Sequence, residues 1–229
     1  ETKGDSGQSE FWDLADDPSR QFSTDIDTVL SGARLNPSGK GTVVKGDSRS
    51  IEECLLDKHD LLVTSPPYPN RISYIRELRP YMYWLGYLKE AREAGEMDWQ
   101  AIGGTWGIAT SRLSDWVRDG STYFPANLQP LLDSIASSDS KSGRILANYV
   151  GKYFEDMWLH FTSVRKIMRS GAAVHYIVGN SKFYDSLVPV EQIFVDMLRE
   201  AGFSDVRFTV LRKRNSKKEL LEFDVVGHA

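Results

Sequence analysis

The apolar positions of this chain change period several times, and each change predicts an element. Leu61-Leu62-Val63 is a continuous apolar run that stops at Pro66-Pro67, and neither proline can donate to a sheet ladder, so a short buried strand ends there. Thr42-Val43-Val44-Lys45 reads as an earlier strand ending in Gly46-Asp47-Ser48, and Ile51 to Leu56 as a brief helix capped by Ser50. Strand, helix and strand in so short a span make a parallel crossover, which brings Asp47 to the same sheet edge as Ser65. From Arg71 to Arg92, Ile72, Ile75, Leu78, Met82, Leu85 and Leu88 recur at helical spacing, and Pro80 is expected to kink or split that helix.

Residues 95–143 lose the alternation of strands and helices. Gly103-Gly104-Thr105-Trp106-Gly107 predicts a flexible, aromatic-bearing loop and Ser134 to Ser142 a second mobile one, so the segment reads as an insertion. Arg144 to Arg169 then carries apolar pairs at helical spacing, the mark of a long helix buried along one face. Ala172 to Val178 follows as a central strand closing on Gly179-Asn180-Ser181. A second amphipathic helix is expected from Pro189 to Ala201, opened by Asp185 or Ser186 and ended by Gly202. Asp205–Arg212 and Leu220–Val226 read as a pair of strands. Residues 1–41, rich in Ser, Gly, Asp and Pro, read as a poorly ordered lead or linker with a short helix around Asp25–Leu35.

Composition narrows this picture. With 229 residues, 41% hydrophobic and 26% charged, the chain suits one α/β domain over 42–229 that carries the insertion. A lone cysteine, Cys54, permits no intrachain disulfide and fits a reducing compartment. The histidines at 59, 160, 175 and 228 have no ligand spacing, so no metal site is expected. No apolar run of membrane length and no signal peptide appear, so a cytoplasmic chain without a membrane partner is expected. A net charge of −4 excludes a uniformly basic nucleic-acid binder, which leaves local patches.

Four features carry candidate chemistry. Ser65-Pro66-Pro67-Tyr68 is either a turn after a strand or a ligand site at the carboxyl edge of an α/β sheet. As a site, it offers a hydroxyl, carbonyls held in fixed directions by the prolines, and an aromatic face, which together suit a flat ring bearing an amine. Asp47 with Ser48 is either a helix cap or a ligand contact. Arg71, Arg76, Arg79, Lys89 and Arg92, interleaved with Tyr74, Tyr81, Tyr83, Trp84 and Tyr87, suit phosphate and base contacts but more often pack one helix on another. Of these, Arg71 and Arg76 lie nearest the Ser-Pro-Pro-Tyr segment. Arg212-Lys213-Arg214-Asn215-Ser216-Lys217-Lys218 is a solvated hairpin tip or a phosphate contact.

Asp60-Leu61-Leu62-Val63-Thr64-Ser65-Pro66-Pro67-Tyr68-Pro69-Asn70-Arg71 resembles the amino-methyltransferases of DNA, whose signature is Asp, Asn or Ser followed by Pro-Pro-Tyr or Phe. The Ser form is more similar to the cytosine-N4 branch than to the adenine-N6 branch, and the likeness spans residues 42–227. It implies a Rossmann-like methyltransferase sheet, S-adenosylmethionine as cofactor with Asp47 and Ser48 beside its adenine, and DNA as partner in a prokaryotic, nucleoid-associated setting. It further implies Ser65, Pro66, Pro67 and Tyr68 around a flipped base, with Arg71, Arg76, Asn180, Arg212 and Arg214 toward nucleic acid. Carbon-5 chemistry is not implied, since Cys54 lies on a helical stretch well before the proline motif.

One family feature is missing: no strand ends in a Phe-x-Gly-x-Gly type turn for the cofactor, so about five of seven strands are expected. The resemblance then implies that a further segment or a second polypeptide supplies that turn and covers the strand at Thr42–Lys45. Two other functions share these features: an adenine-N6 methyltransferase of DNA or RNA, and a non-catalytic recognition or assembly subunit.

Overall fold

The structure, a computed structural model, describes residues 18–35, 38–70, 72–105, 107–138, 142–214 and 219–229. The chain divides into two units, Glu1–Val43 and Val44–Ala229. The described part of the first is α1 (Pro18–Arg34), longer than the helix expected around Asp25–Leu35, with Phe22, Ile26, Val29 and Leu30 all exposed.

The second unit is α/β. Among the described residues its main sheet has four strands, β1 (His59–Thr64), β2 (Met168–Gly179), β5 (Ser204–Lys213) and β6 (Leu221–His228), in the order β1-β2-β6-β5. β1 and β2 run parallel, with Val63 opposite His175, and the other neighbours are antiparallel, with His175 opposite Val226. The sheet is therefore mixed, and a two-stranded sheet of β3 (Ser181–Phe183) and β4 (Ser186–Val188) lies apart from it.

The helix α6 (Gly143–Ile167) forms where the apolar spacing placed it. Leu146, Tyr149, Val150, Tyr153, Phe154, Met157, Phe161 and Val164 are all buried along one face. α7 (Val190–Glu200) buries Ile193, Phe194, Met197 and Leu198 in the same core and ends before Gly202, whose φ of 90° suits a residue without Cβ. Tyr176 of β2 meets Phe161 at 5.0 Å and Phe194 at 6.1 Å between ring centroids, so both helices cover one face of the sheet. On the opposite face Leu61 and Val63 are 59% and 66% exposed, and β1 has no strand on its outer side among the described residues.

Several expectations are corrected. Thr42–Lys45 is not a strand: it lies outside every ladder, and Val43 is 100% exposed, because nothing described here pairs with it. With that strand goes the expected crossover, and among the described residues the main sheet has four strands where about five were expected. The segment after it is a 3-10 helix, Ser48–Glu53, and its cap is Asp47 rather than Ser50, which sits at a kink with φ −137° and ψ 46°. Pro80 does not split its helix: α2 (Tyr74–Trp84) runs through it, since one proline removes only one ladder bond.

α2 also buries none of its residues; Tyr81 is 60% and Trp84 84% exposed, so packing does not account for its aromatics. The insertion, expected as a mixture of helix and loop, holds α3 (Ala91–Gln100), α4 (Ile108–Asp115) and α5 (Leu128–Ala136). Leu113, Leu128, Leu132 and Ile135 from it join the main core. Gly103 and Gly104 are buried, and a Cβ on Gly104 would lie 1.6 Å from the Asp98 carbonyl oxygen, so this is a close backbone approach and not a flexible loop. α7 is preceded by Pro189, not capped by Asp185 or Ser186, because those residues belong to the β3–β4 hairpin.

Candidate functional site

Ser65 to Tyr68 leave the carboxyl end of β1 beside the carboxyl end of β2, where Gly179 and Asn180 also emerge. Pro66 is buried and Ser65 exposed, so the first proline packs inward beside a serine that solvent reaches. Ser65 Oγ donates to the Ile177 carbonyl at 3.1 Å and lies 3.5 Å from the Tyr68 hydroxyl. Its proton is thus spent on β2, which leaves the oxygen able to accept from a ligand.

Tyr68 is held at its far end, where its hydroxyl donates to Glu222 Oε1 at 2.8 Å. Glu222, only 8% exposed, also accepts from Arg212 Nε, its register partner across the β5–β6 ladder. The hydrogen bond from Arg212 holds the Glu222 carboxyl below the ordinary range, against the opposing effect of burial. Burial raises the Tyr68 phenol, so a neutral phenol donates to an ionised carboxylate.

The guanidinium of Arg214 sits 4.9 Å from the centroid of the Tyr68 ring. Arg214 Nη1 donates to the Asn180 carbonyl at 2.8 Å, and a Cβ on Gly179 would lie 2.2 Å from Nη1, so the space is that of an absent side chain. The Asn180 amide is engaged at both ends: Nδ2 donates to the Glu219 carbonyl at 2.8 Å and Oδ1 accepts from the Leu221 N–H at 2.9 Å. Asn180 therefore ties the β5–β6 end to β2 rather than facing outward.

Of the residues singled out in the sequence, Ser65, Pro66, Pro67, Tyr68, Asn180, Arg212 and Arg214 form one cluster. Arg71 lies outside the described residues. Arg76 stands in the first turn of α2, 60% exposed at its side chain and 3.5 Å from Glu77, with no hydrogen bond or ion pair to the cluster. Sequence reasoning missed Glu222 and Gly179. A β5–β6 hairpin register pairs Arg212 with Glu222, and that pairing was the available signal.

Asp47 belongs to a second cluster. Its carboxylate caps the 3-10 helix through the Arg49 N–H at 2.9 Å and accepts from Arg49 Nε at 3.0 and 3.2 Å and Nη2 at 2.7 Å. Arg49 continues to Asp156 Oδ1 at 3.0 Å, and Lys152 holds the other oxygen of Asp156 at 2.5 Å. The hydrogen bond from Arg49 lowers the Asp47 carboxyl below its ordinary value. Lys45, Gly46, Asp47 and Ser48, with Ile75, Met97 and Ile102, border a cleft of about 570 Å³. Its volume and apolar walls suit an adenine-sized ring; three N–H groups of Arg49 occupy most of the acceptor positions of Asp47, whose side chain stays 48% exposed at the rim. A separate cavity of about 360 Å³, lined by Trp116, Arg118, Phe124 and Arg144, lies between the insertion and α6.

No group of His, Cys, Asp and Glu among the described residues is arranged to hold a metal ion, and no described helix is long and apolar enough to cross a membrane. Compared with known protein families the chain matches none, and compared with curated proteins it matches none.

Proposed function

We propose that this chain is the catalytic portion of a Rossmann-like, S-adenosylmethionine-dependent DNA amino-methyltransferase acting on the exocyclic amine of a flipped cytosine. The observation that carries the reading is the state of Ser65-Pro66-Pro67-Tyr68. The segment lies at the carboxyl edge of two parallel strands, its serine oxygen has a free acceptor direction, and its tyrosine is fixed by a buried glutamate. An amine that donates to Ser65 Oγ and to the Pro66 carbonyl has its lone pair turned out of conjugation with the ring, which is what attack on a methyl carbon requires. Positioning does this work without a strong base. Tyr68 supplies the stacking face for an extrahelical base, and the Arg212 and Arg214 pair supplies positive charge for the backbone.

S-adenosylmethionine, when bound, would supply the methyl group on a positive sulfonium. Ile75, Met97 and Ile102 would flank its adenine, with Ser48 the polar neighbour that remains once Asp47 is committed to Arg49. The glycine-rich turn is then contributed by a further segment or a second chain, and the open outer side of β1 is where a strand carrying it would pair.

A specific observation favours a second reading, a non-catalytic recognition or assembly subunit: Arg214 covers one face of Tyr68. Nucleoside mass spectrometry decides between the two, using DNA incubated with labelled cofactor, this chain and its cofactor-supplying partner. N4-methylcytosine that disappears in Tyr68→Ala supports the reading. N6-methyladenine moves it to the adenine branch, and no methylated nucleoside leaves only the subunit.

A further inference from the structure

Beneath the Ser-Pro-Pro-Tyr segment lies a tyrosine that the reading above does not use. Tyr153 of α6 is 1% exposed, and its hydroxyl has no hydrogen-bond partner. Its ring is fixed by Phe194, stacked at 6.4 Å, and by Phe154, edge-on at 5.1 Å. Burial of a phenol without a partner costs free energy that a phenylalanine at the same place would avoid, so the hydroxyl calls for an explanation. Burial also keeps the phenol protonated, with Tyr149, Tyr68 and Tyr74 close enough to act on it electrostatically. Gly103 joins it to the segment: a Cβ there would be in contact with all three neighbours, 3.6 Å from Pro67 Cβ, 3.7 Å from the Tyr149 hydroxyl and 3.7 Å from Tyr153 Cδ2.

A donor count shows what the hydroxyl is suited to. Beside the exocyclic amine, cytosine and adenine both carry a ring nitrogen that accepts a hydrogen bond, whereas thymine has a carbonyl in place of the amine and an N–H beside it. Ser65 and the Pro66 carbonyl serve the amine as acceptors, but the ring nitrogen needs a donor. The Ser65 proton is spent on the Ile177 carbonyl and the Tyr68 proton on Glu222. The Tyr153 proton is not spent.

We infer that Tyr153 is a specificity-determining residue of the base site, donating its hydroxyl proton to the ring nitrogen next to the amine and so selecting cytosine or adenine over thymine. The inference rests on the base-site reading proposed above. It makes Pro67, Gly103 and Tyr153 the inner wall of that site, with Tyr68 its stacking face. A base bearing N–H at the ring position meets a second donor there and is rejected.

The test uses the whole chain and two neutral probes, 2′-deoxycytidine and its 3-deaza analogue, in which the accepting ring nitrogen is a C–H. Binding of each is measured by ligand-observed NMR for the wild type, Tyr153→Phe and Tyr68→Ala, together with each protein's melting temperature. The wild type is expected to bind the deaza analogue about tenfold more weakly, the worth of one hydrogen bond. Tyr153→Phe is expected to bind both alike and to melt at or above the wild-type temperature. A lower melting temperature for Tyr153→Phe would give the hydroxyl a structural partner and overturn the inference. So would an undiminished preference for deoxycytidine in that variant. If both probes bind Tyr68→Ala as they bind the wild type, the base-site reading itself fails, which differs from a Tyr68-dependent site indifferent to position 153.

Discussion

Gly179→Ala tests whether Arg214 occupies the place of a base. The added Cβ would stand 2.2 Å from Nη1, 2.9 Å from Cζ and 3.1 Å from Cδ of Arg214, so the guanidinium must leave while the backbone need not move. The loss is the contact with the Tyr68 ring, about 0.5–1 kcal/mol, and the charged hydrogen bond to the Asn180 carbonyl, about 1.5–3 kcal/mol. Against it stands a gain of about 0.4–1 kcal/mol from replacing a strand glycine by alanine. The net is a loss of about 2 kcal/mol, or about 4–8 °C in melting temperature for a chain of this length. A base stacking on the covered face must displace the same guanidinium, so Gly179→Ala and Arg214→Ala should bind 2′-deoxycytidine about 10–30-fold more tightly than the wild type. Titration by NMR or calorimetry measures this. Weaker binding by both variants would refute the displacement argument and make Arg214 a binding group.

The remaining expectations concern the frame around the site. Arg49→Ala should cost about 2–3 kcal/mol in urea unfolding: it strips the buried Asp156 of one partner, although Lys152 remains and Asp47 is half exposed. Gly104→Ala drives a Cβ into the Asp98 carbonyl at 1.6 Å, a backbone clash that should cost about 3 kcal/mol or more and reduce soluble yield. His160 is buried, with Nδ1–H donating to the Ser48 carbonyl at 2.8 Å and Nε2 accepting from Tyr176 at 3.1 Å. Burial lowers its pKa below the ordinary 6.5, so the unfolded chain takes up a proton that the folded chain refuses. Stability present above pH 6.5 should fall as the pH drops through the folded value, and His160→Gln should flatten that part of a pH series of unfolding curves.

Long apolar periods were the legible part of the fold. α6, β2 and the β5–β6 pair appear within a few residues of their expected bounds, because burial of one face dictates the spacing over many residues. The short strand before Pro66 was legible from its apolar run and the prolines that end it, but other short stretches were not, for reasons that differ. Thr42–Lys45 has strand residues but no neighbouring strand to supply its hydrogen bonds, and propensity without a partner makes no strand. Gly103 and Gly104 read as part of a mobile loop because they look like turn punctuation; both are buried, and Gly104 admits the Asp98 backbone.

The site was legible where one segment carries it and illegible where the fold assembles it. Ser65 to Tyr68 could be read from adjacency, but their state depends on Glu222, which lies 154 positions from Tyr68 and is brought to it by β6. Asp47 shows the converse: its acidic side chain was the readable feature, and Arg49, two residues on, decides its use. Arg214 stands between these two cases. A guanidinium on a tyrosine face is a stable arrangement in the free chain and also an obstacle to any flat ligand on that face. A catalytic site needs the obstacle to cost no more than a base gains by stacking, about 1–3 kcal/mol, and the contacts of Arg214, worth about 2–4 kcal/mol together, overlap that range. That near balance lets the base compete, whereas a purely structural tyrosine would have no need of it.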